Sequence, residues 1–183
     1  DSNMRRRLLN TAELVRACAT WKPREVRCTS ISLTAGLARA ATRAALARAD
    51  VLISVHGGDV LNALAMHDGA SVVEIMPIVR KGCPCDMFRD LLTSPEDDSG
   101  RIFYYRVEAT HASSDHPEYA NSFHADVSLS WDALQPLLDT IWHVAADAGR
   151  YACVAPALTG ARAPTQMAMD QNRFRNLSCS SLA

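Results

Sequence analysis

His56, Gly57 and Gly58 directly follow a run of five residues, Val51–Val55, that is apolar except for one serine. Such a run is typical of a strand in a parallel sheet, and paired glycines are typical of a tight turn. In open α/β sheets, ligands bind beyond the carboxyl ends of the strands. Glycine N–H groups can approach a ligand closely there, and a following helix adds free N–H donors and a positive dipole end. The sequence therefore predicts a site for a phosphate-bearing ligand, such as a nucleotide or a sugar nucleotide.

The imidazole at this turn has two interpretations. In the functional interpretation, His56 contacts a phosphate or sugar hydroxyl, or acts as a general acid or base. In the structural interpretation, it is a core or capping histidine. Its place between a buried strand and two glycines favours the functional interpretation. The chain contains neither GxGxxG nor GxxxxGK[ST]. This argues against a dinucleotide-binding turn and against a P-loop.

Three further polar residues lie near the turn or in the next apolar run. We expect Asp59 to cap the helix after Gly58, since a carboxylate repels phosphate. Asn62 either bonds a ligand or stabilises the turn. Glu74 stands among the apolar residues 71–76, where a carboxylate needs a partner. It either accepts bonds from ribose hydroxyls or pairs with an arginine of the basic helix that we predict at residues 34–49.

Basic and histidine-rich segments have less specific interpretations. Arg5, Arg6 and Arg7 form either a solvated charge run or a group from which one arginine reaches an anionic ligand. Three histidines and one aspartate fall within residues 109–124, which we predict to be a polar loop: His111, His116, His124 and Asp115. Their spacing does not match a metal site in a helix or hairpin, so we expect no metal there.

The six cysteines do not form a zinc pattern. Cys83 and Cys85 are separated by one residue, and no second close pair completes a set of four ligands. We expect buried thiols, with or without one disulfide.

The elements that must position these residues alternate along the chain. We predict helices at residues 10–20, 34–49, 60–66, 87–92 and 131–146, and strands at residues 26–31, 51–55, 71–76 and 102–107. Helices alternating with strands predict an α/β fold with a Rossmann-like, doubly wound and mostly parallel sheet. We assign residues 1–149 to this domain and residues 150–183 to a poorly ordered tail.

Composition limits the function classes. Of the 183 residues, 48% are hydrophobic, which is enough for a core. The net charge of −1 gives no argument for nucleic acid or for an anionic membrane as a partner. No apolar run is long enough to cross a membrane. Because the chain starts at Asp1, we expect it to be a fragment whose N-terminal part lies outside this sequence.

Segments spread over residues 4–146 resemble the catalytic region of glycosyltransferase family 61. This family includes protein O-linked N-acetylglucosaminyltransferases and plant xylosyl- and arabinosyltransferases. The opening Arg6-Arg7-Leu8-Leu9-Asn10 with Glu13-Leu14 is similar to the family's Arg-x-x-x-Asn-x-x-Glu-Leu. The later similar segments are Asp50 to Gly58, Asn62, Val72 to Pro77, and Asp126-Val127 ahead of the last helix. Family members usually carry Ala where Gly58 stands and Thr where Leu61 stands.

The resemblance implies an inverting transferase of the GT-B type, with two Rossmann-like lobes, of which this chain is mostly the C-terminal donor lobe. It implies a UDP-sugar as donor substrate and a protein or polysaccharide hydroxyl as acceptor. The donor-binding residues would be His56, Gly57, Gly58, Asn62, Glu74 and Arg6. No cofactor or metal is implied with certainty, and the general base is expected from the other lobe.

The resemblance also implies the Golgi or the endoplasmic reticulum lumen as location, with any membrane anchor outside this chain. The alternative function is a non-catalytic or truncated nucleotide-sugar-binding domain. An unrelated Rossmann-like enzyme is a third interpretation.

Overall fold

A computed structural model describes residues 6–21, 26–31, 39–78, 85–92, 102–113 and 123–144. The helices are α1 (Thr11–Thr20), α2 (Arg39–Leu46), α3 (Met87–Leu92) and α4 (Trp131–Val144), and Gly58–Ala65 forms a 3-10 helix, η1. The strands are β1 (Val51–Val55), β2 (Ser71–Met76), β3 (Phe103–Glu108), β4 (His111–Ser113) and β5 (Asp126–Ser128). The predicted tail at residues 150–183 lies outside the described residues.

The first three strands form a parallel sheet in the order β1-β2-β3. Val51 pairs with Ser71, and Ser71 pairs with Phe103, so the three strands end at the same edge. All six residues of β2 are buried. A central parallel strand is covered on both faces, which explains its almost continuous apolar sequence. The parallel α/β sheet is confirmed, and it is compatible with a Rossmann-like fold.

Two hydrophobic clusters cover the two faces of this sheet. One contains Val73, Ile75 and Tyr105 with apolar residues of α1 and α4. The other contains Val72 and Tyr104 with apolar residues of α2, η1 and α3. Adjacent strand residues point to opposite faces, so the two neighbouring tyrosines belong to different cores.

β4 and β5 form a small antiparallel sheet. The first described residues of the chain pair with β5. Leu8 forms a parallel bridge with Val127, and Leu9 N–H donates to the Val127 carbonyl at 2.8 Å. Asn10 Nδ2 donates to the Leu129 carbonyl at 2.9 Å, and Leu129 N–H donates to Asn10 Oδ1 at 3.2 Å. The opening and closing segments of the family resemblance are therefore hydrogen-bonded neighbours.

Two of the predicted elements are wrong. Residues 26–31 form no strand, since none of the described strands pairs with them, and Cys28 is bonded to Cys18 of α1. The segment 109–124 is not wholly a loop, since His111–Ser113 pairs with β5. The predicted helices at 10–20, 87–92 and 131–146 are confirmed within the described residues, and α4 continues through Pro136.

The cysteine prediction is also partly wrong. Cys18 and Cys28 form a disulfide, and Cys85 is disulfide-bonded as well. No cysteine among the described residues is a free thiol. More than one disulfide is therefore present, where we expected at most one.

Candidate functional site

Four polar side chains lie on one face of the parallel sheet. His56 follows β1, Glu74 belongs to β2, and Tyr104 and Arg106 belong to β3. Glu74 pairs in register with Arg106, and the His56 N–H donates to the Ile75 carbonyl at 2.9 Å. Because strand residues alternate between faces, even-numbered positions on these neighbouring strands face the same side. The sheet thereby assembles a buried polar cluster from three separate parts of the chain.

Glu74 is the centre of this cluster. Its side chain is 0% exposed and that of His56 is 1% exposed, and His56 Nδ1 lies 2.6 Å from Glu74 Oε1. The His56 ring meets the Phe88 ring edge-on, with 5.2 Å between the centroids. A carboxylate buried to this degree needs donors on both oxygens. The imidazole is in position to donate to one oxygen, and the second donor comes from β3.

Tyr104 supplies the second donor. Its hydroxyl hydrogen-bonds to Glu74 Oε2, and Arg106 Nε lies 3.4 Å from the same hydroxyl. Burial raises the pKa of Tyr104 far above its ordinary value, and the charge and hydrogen bond of Glu74 raise it further. Burial lowers the pKa of Arg106, but its bonds and charge interactions with Asp86 and Tyr104 raise it overall. Tyr104 is thus a neutral donor and Arg106 is a cation.

The turn after β1 is the exposed side of the site. Gly57 has φ 153° and ψ −179°, a conformation that L side chains rarely adopt. Gly58 is exposed, and a Cβ placed on it would meet nothing within 4 Å. In η1 the first bonded N–H is that of Val60, which donates to the Gly57 carbonyl at 3.0 Å. A 3-10 helix leaves its earlier N–H groups without acceptors inside the helix, so they are suited to an anion.

Arg6 lies against this turn. A Cβ on Gly57 would be 3.3 Å from Arg6 Nη2. Arg6 Nη1 is buried and has no hydrogen-bond partner among the described residues. The guanidinium also lies over the Phe123 ring, 5.3 Å from its centroid. Burial lowers the pKa of Arg6, and the charge of Glu74 partly opposes this. Arginine remains a cation in proteins.

The structure brings together five of the six residues predicted to bind the donor: Arg6, His56, Gly57, Gly58 and Glu74. The sixth residue, Asn62, bonds within η1 instead: its Nδ2 donates to the Asp59 carbonyl at 2.7 Å. Of its two predicted roles, the observed bond is the one that stabilises the turn.

Three finer predictions can be compared with the structure. Asp59 does not cap η1, since Gly57 is the N-cap residue and no side chain bonds there. The bonds of Glu74 go to His56 and Tyr104 rather than to an arginine of α2. The arginine run is divided: Arg7 Nε donates to Asp126 Oδ2 at 2.9 Å, whereas Arg6 turns toward Gly57.

Sequence reasoning missed Tyr104 and Arg106. A usable signal was present, because Glu74 required a partner and the next β-prone run carries Tyr and Arg two residues apart. Such spacing puts both side chains on one face of a strand. The register that aligns Arg106 with Glu74 depends on strand pairing, which the sequence did not supply.

Within the residues that the structure describes, no three histidine, cysteine or carboxylate side chains are grouped closely enough to hold a metal ion. None of the helices in the same residues is long and apolar enough to cross a membrane.

Comparison with protein-family models gives no match to this chain, and comparison with curated proteins gives none either. The class that the fold defines is an α/β domain with a parallel sheet. Its candidate site is a glycine turn at the carboxyl edge, flanked by a cation and supported by a buried polar cluster.

Proposed function

We propose that this chain is the donor-binding lobe of an inverting glycosyltransferase similar to family 61, and that it binds a UDP-sugar at the Gly57–Gly58 turn. The observation that carries the proposal is the position of Arg6. This cation, with one buried nitrogen lacking a partner in the described residues, lies against a turn where helix N–H groups begin. Cationic and N–H donors that converge in this way suit a phosphate.

A diphosphate fits the charges better than a neutral sugar alone. A phosphate oxygen accepts from Arg6 and from the first N–H groups of η1, which also present the positive end of the helix dipole. The leaving UDP gains negative charge as the glycosidic bond to the donor breaks, so these groups favour the departing state. Arg6 and the turn would therefore assist the transfer as well as bind its substrate.

His56 and Glu74 support this turn from beneath. Their side chains are 1% and 0% exposed, so direct contact of either with a donor requires movement of the groups that cover them. Their predicted contacts with donor and ribose stay predictions. The geometry favours a supporting role. The side-chain bond to Glu74 and the backbone bond to Ile75 hold His56, the residue before Gly57, in place.

The two-lobed architecture belongs to the same proposal. In an inverting transferase a general base deprotonates the acceptor hydroxyl of a protein or polysaccharide. In the proposed arrangement that base comes from an N-terminal lobe outside this sequence. The bonded cysteines Cys18, Cys28 and Cys85 support a location in the oxidising secretory pathway, where disulfides persist.

Calorimetric titration of the full chain with UDP tests the binding step. We expect UDP to bind and Arg6→Gln to weaken binding about tenfold or more, because a hydrogen bond to a charged group contributes ~1.5–3 kcal/mol. Arg16→Gln is the matched control, since Arg16 is an exposed arginine of α1. Absence of UDP binding to the wild type, or equal loss in both variants, would overturn the proposal.

Transfer is tested separately from binding. The wild-type chain is incubated with UDP-sugars, and released UDP is measured with and without a peptide or oligosaccharide acceptor. Acceptor-dependent release would show that this chain catalyses transfer by itself. Binding without release is expected both of an isolated donor lobe and of the alternative function, a nucleotide-sugar-binding domain, so these two are separated by repeating the assay on a protein that contains both lobes.

A further inference from the structure

We propose that Tyr104 and Arg106 are positioning residues, which hold the carboxylate of Glu74 so that it fixes the tautomer and orientation of His56 beneath the Gly57–Gly58 turn. Both lie on β3, one strand away from Glu74 and two strands away from the turn. The inference deepens the proposed function. The expected change in UDP affinity rests on that function, whereas the expected change in the His56 tautomer does not.

The hydrogen bonds from Arg106 through Tyr104 to Glu74 all point in the same direction. Arg106 is a cation and has only donors, so its Nε–H can only donate to the Tyr104 oxygen, 3.4 Å away. The Tyr104 hydroxyl hydrogen is then directed to Glu74 Oε2. Glu74 accepts on that oxygen, and as a carboxylate it has no proton to offer on the other. The hydrogen between Glu74 Oε1 and His56 Nδ1, which lie 2.6 Å apart, is therefore carried by His56.

Arg106 is itself held at its far end. Its Nη2 donates to Asp86 Oδ1 at 2.9 Å and to the Cys85 carbonyl at 3.0 Å. Cys85 is disulfide-bonded, and Asp86 also pairs with Arg89 of α3 at 3.0 Å. The guanidinium is thus fixed from two sides, so the order of donors does not depend on one flexible side chain.

The consequence reaches the turn through the backbone. An imidazole protonated on Nδ1 and bonded to Glu74 cannot rotate without breaking a buried charge-assisted bond. His56 is also bonded to Ile75 through its own N–H, and its carbonyl carbon is linked directly to Gly57. A ligand that binds to the turn then finds its N–H groups already oriented, which lowers the cost of binding.

The test uses the full chain with ¹⁵N-labelled histidine. The His56 ring is assigned by its nuclear Overhauser contacts with the Phe88 ring, which it meets at 5.2 Å. Its nitrogen shifts and long-range couplings report which nitrogen carries the hydrogen. The variants are Tyr104→Phe, which removes only the hydroxyl, and Arg106→Gln, which removes the cation. Tyr105→Phe is the matched control, because it removes the same group from the adjacent residue, whose ring packs in the opposite core. UDP affinity is measured on the same samples.

We expect the wild type and Tyr105→Phe to carry the hydrogen on Nδ1. In Tyr104→Phe the Glu74 carboxylate loses the donor that holds Oε2 and can turn away from Nδ1, so we expect a mixture of tautomers. Loss of one supporting hydrogen bond should weaken UDP binding about threefold to tenfold. Arg106→Gln should change the imidazole in the same direction, and it decides the matter if Tyr104→Phe does not fold. The inference is overturned if the wild type carries the hydrogen on Nε2, or if both variants keep the wild-type tautomer. If the wild type does not bind UDP, the proposed function fails and the imidazole result still decides the inference.

Discussion

Gly57 and Gly58 are adjacent and chemically identical, yet the fold uses them differently. Gly57 needs a backbone conformation that side chains rarely adopt, and Arg6 occupies the space next to it. Gly58 faces open space. Substitution at the first position therefore disturbs both the backbone and the cation, whereas substitution at the second disturbs neither.

We expect Gly57→Ala to lower the free energy of unfolding by ~1–3 kcal/mol, the usual cost of a strained backbone conformation. We expect Gly58→Ala to change it by less than ~0.5 kcal/mol, as surface substitutions usually do. Urea unfolding followed by circular dichroism measures both. Equal stabilities for the two variants would contradict the assigned conformation of Gly57.

Tyr104 links the site to pH. Its pKa in the folded chain is raised above the ordinary 10.0 by burial and by Glu74. As pH rises past about 10, the unfolded chain loses this proton first, so the free energy of unfolding decreases with pH in that range. Below pH about 10 the contribution of the neutral hydroxyl is fully present.

Tyr104→Phe removes this group, so its stability should decrease less steeply above pH about 10 than that of the wild type. The difference in slope should be at most ~1.4 kcal/mol per pH unit, the value for one proton. Urea unfolding at a series of alkaline pH values measures it. At pH about 8 the two proteins should show the same slope, since tyrosine does not titrate there. Parallel curves throughout the alkaline range would show that Tyr104 is not buried against Glu74.

At the scale of elements, the sequence predicts the bounds of a strand best where that strand is covered on both faces. The six residues of β2 were delimited correctly, because an apolar run bounded by Gly69 and Pro77 leaves little choice. Residues 26–31 have β-prone side chains but no partner among the described strands. His111–Ser113 has polar side chains at both ends but is paired. In both segments a distant neighbour decided the structure, and local composition carries no information about it.

The same limit applies to the site. The turn with His56, Gly57 and Gly58 was predicted because its residues are consecutive. Tyr104 and Arg106 were missed because they join Glu74 only through strand register. Contacts within a few residues can be inferred from sequence patterns, whereas contacts across a sheet require the alignment of strands that are far apart in the chain.

Asn10 acts as a connector between elements. Both ends of its side-chain amide bond the backbone of Leu129, 119 residues away. We expect Asn10→Ala to lower the free energy of unfolding by ~1–3 kcal/mol, since two bonds to partly buried groups are lost. Thermal and urea unfolding measure the effect. Arg16→Gln is the control, because it alters an exposed residue of α1. A loss no larger than that of the control would contradict the connecting role.

For the whole molecule, disulfides replace part of the stability that a small core lacks. Cys18 and Cys28 join α1 to a segment without regular structure, with a sequence separation of 10. Closing a loop of this length stabilises a fold by ~2.5–3 kcal/mol in the chain-entropy treatment. This bridge lies at α1, which packs on the opposite face of the sheet from His56 and Glu74.

We therefore expect the double variant Cys18→Ala, Cys28→Ala to unfold at lower urea concentration, with a loss of ~2–4 kcal/mol, and to retain UDP affinity within about twofold. Urea unfolding and calorimetry measure the two quantities. If the double variant is fully folded without urea and still binds UDP more weakly, the result would contradict the separation of this disulfide from the site. The wild type treated with an alkylating reagent is the control, since its described cysteines are already bonded.

The pairing of Leu8 with Val127 has a consequence for biosynthesis. The segment that carries Arg6 is synthesised more than a hundred residues before the strand with which it pairs. Throughout that interval the glycine turn can be translated and even locally folded without its cation. If the chain binds a nucleotide as proposed, the ligand protects the nascent polypeptide only after residues 126–128 have joined the fold.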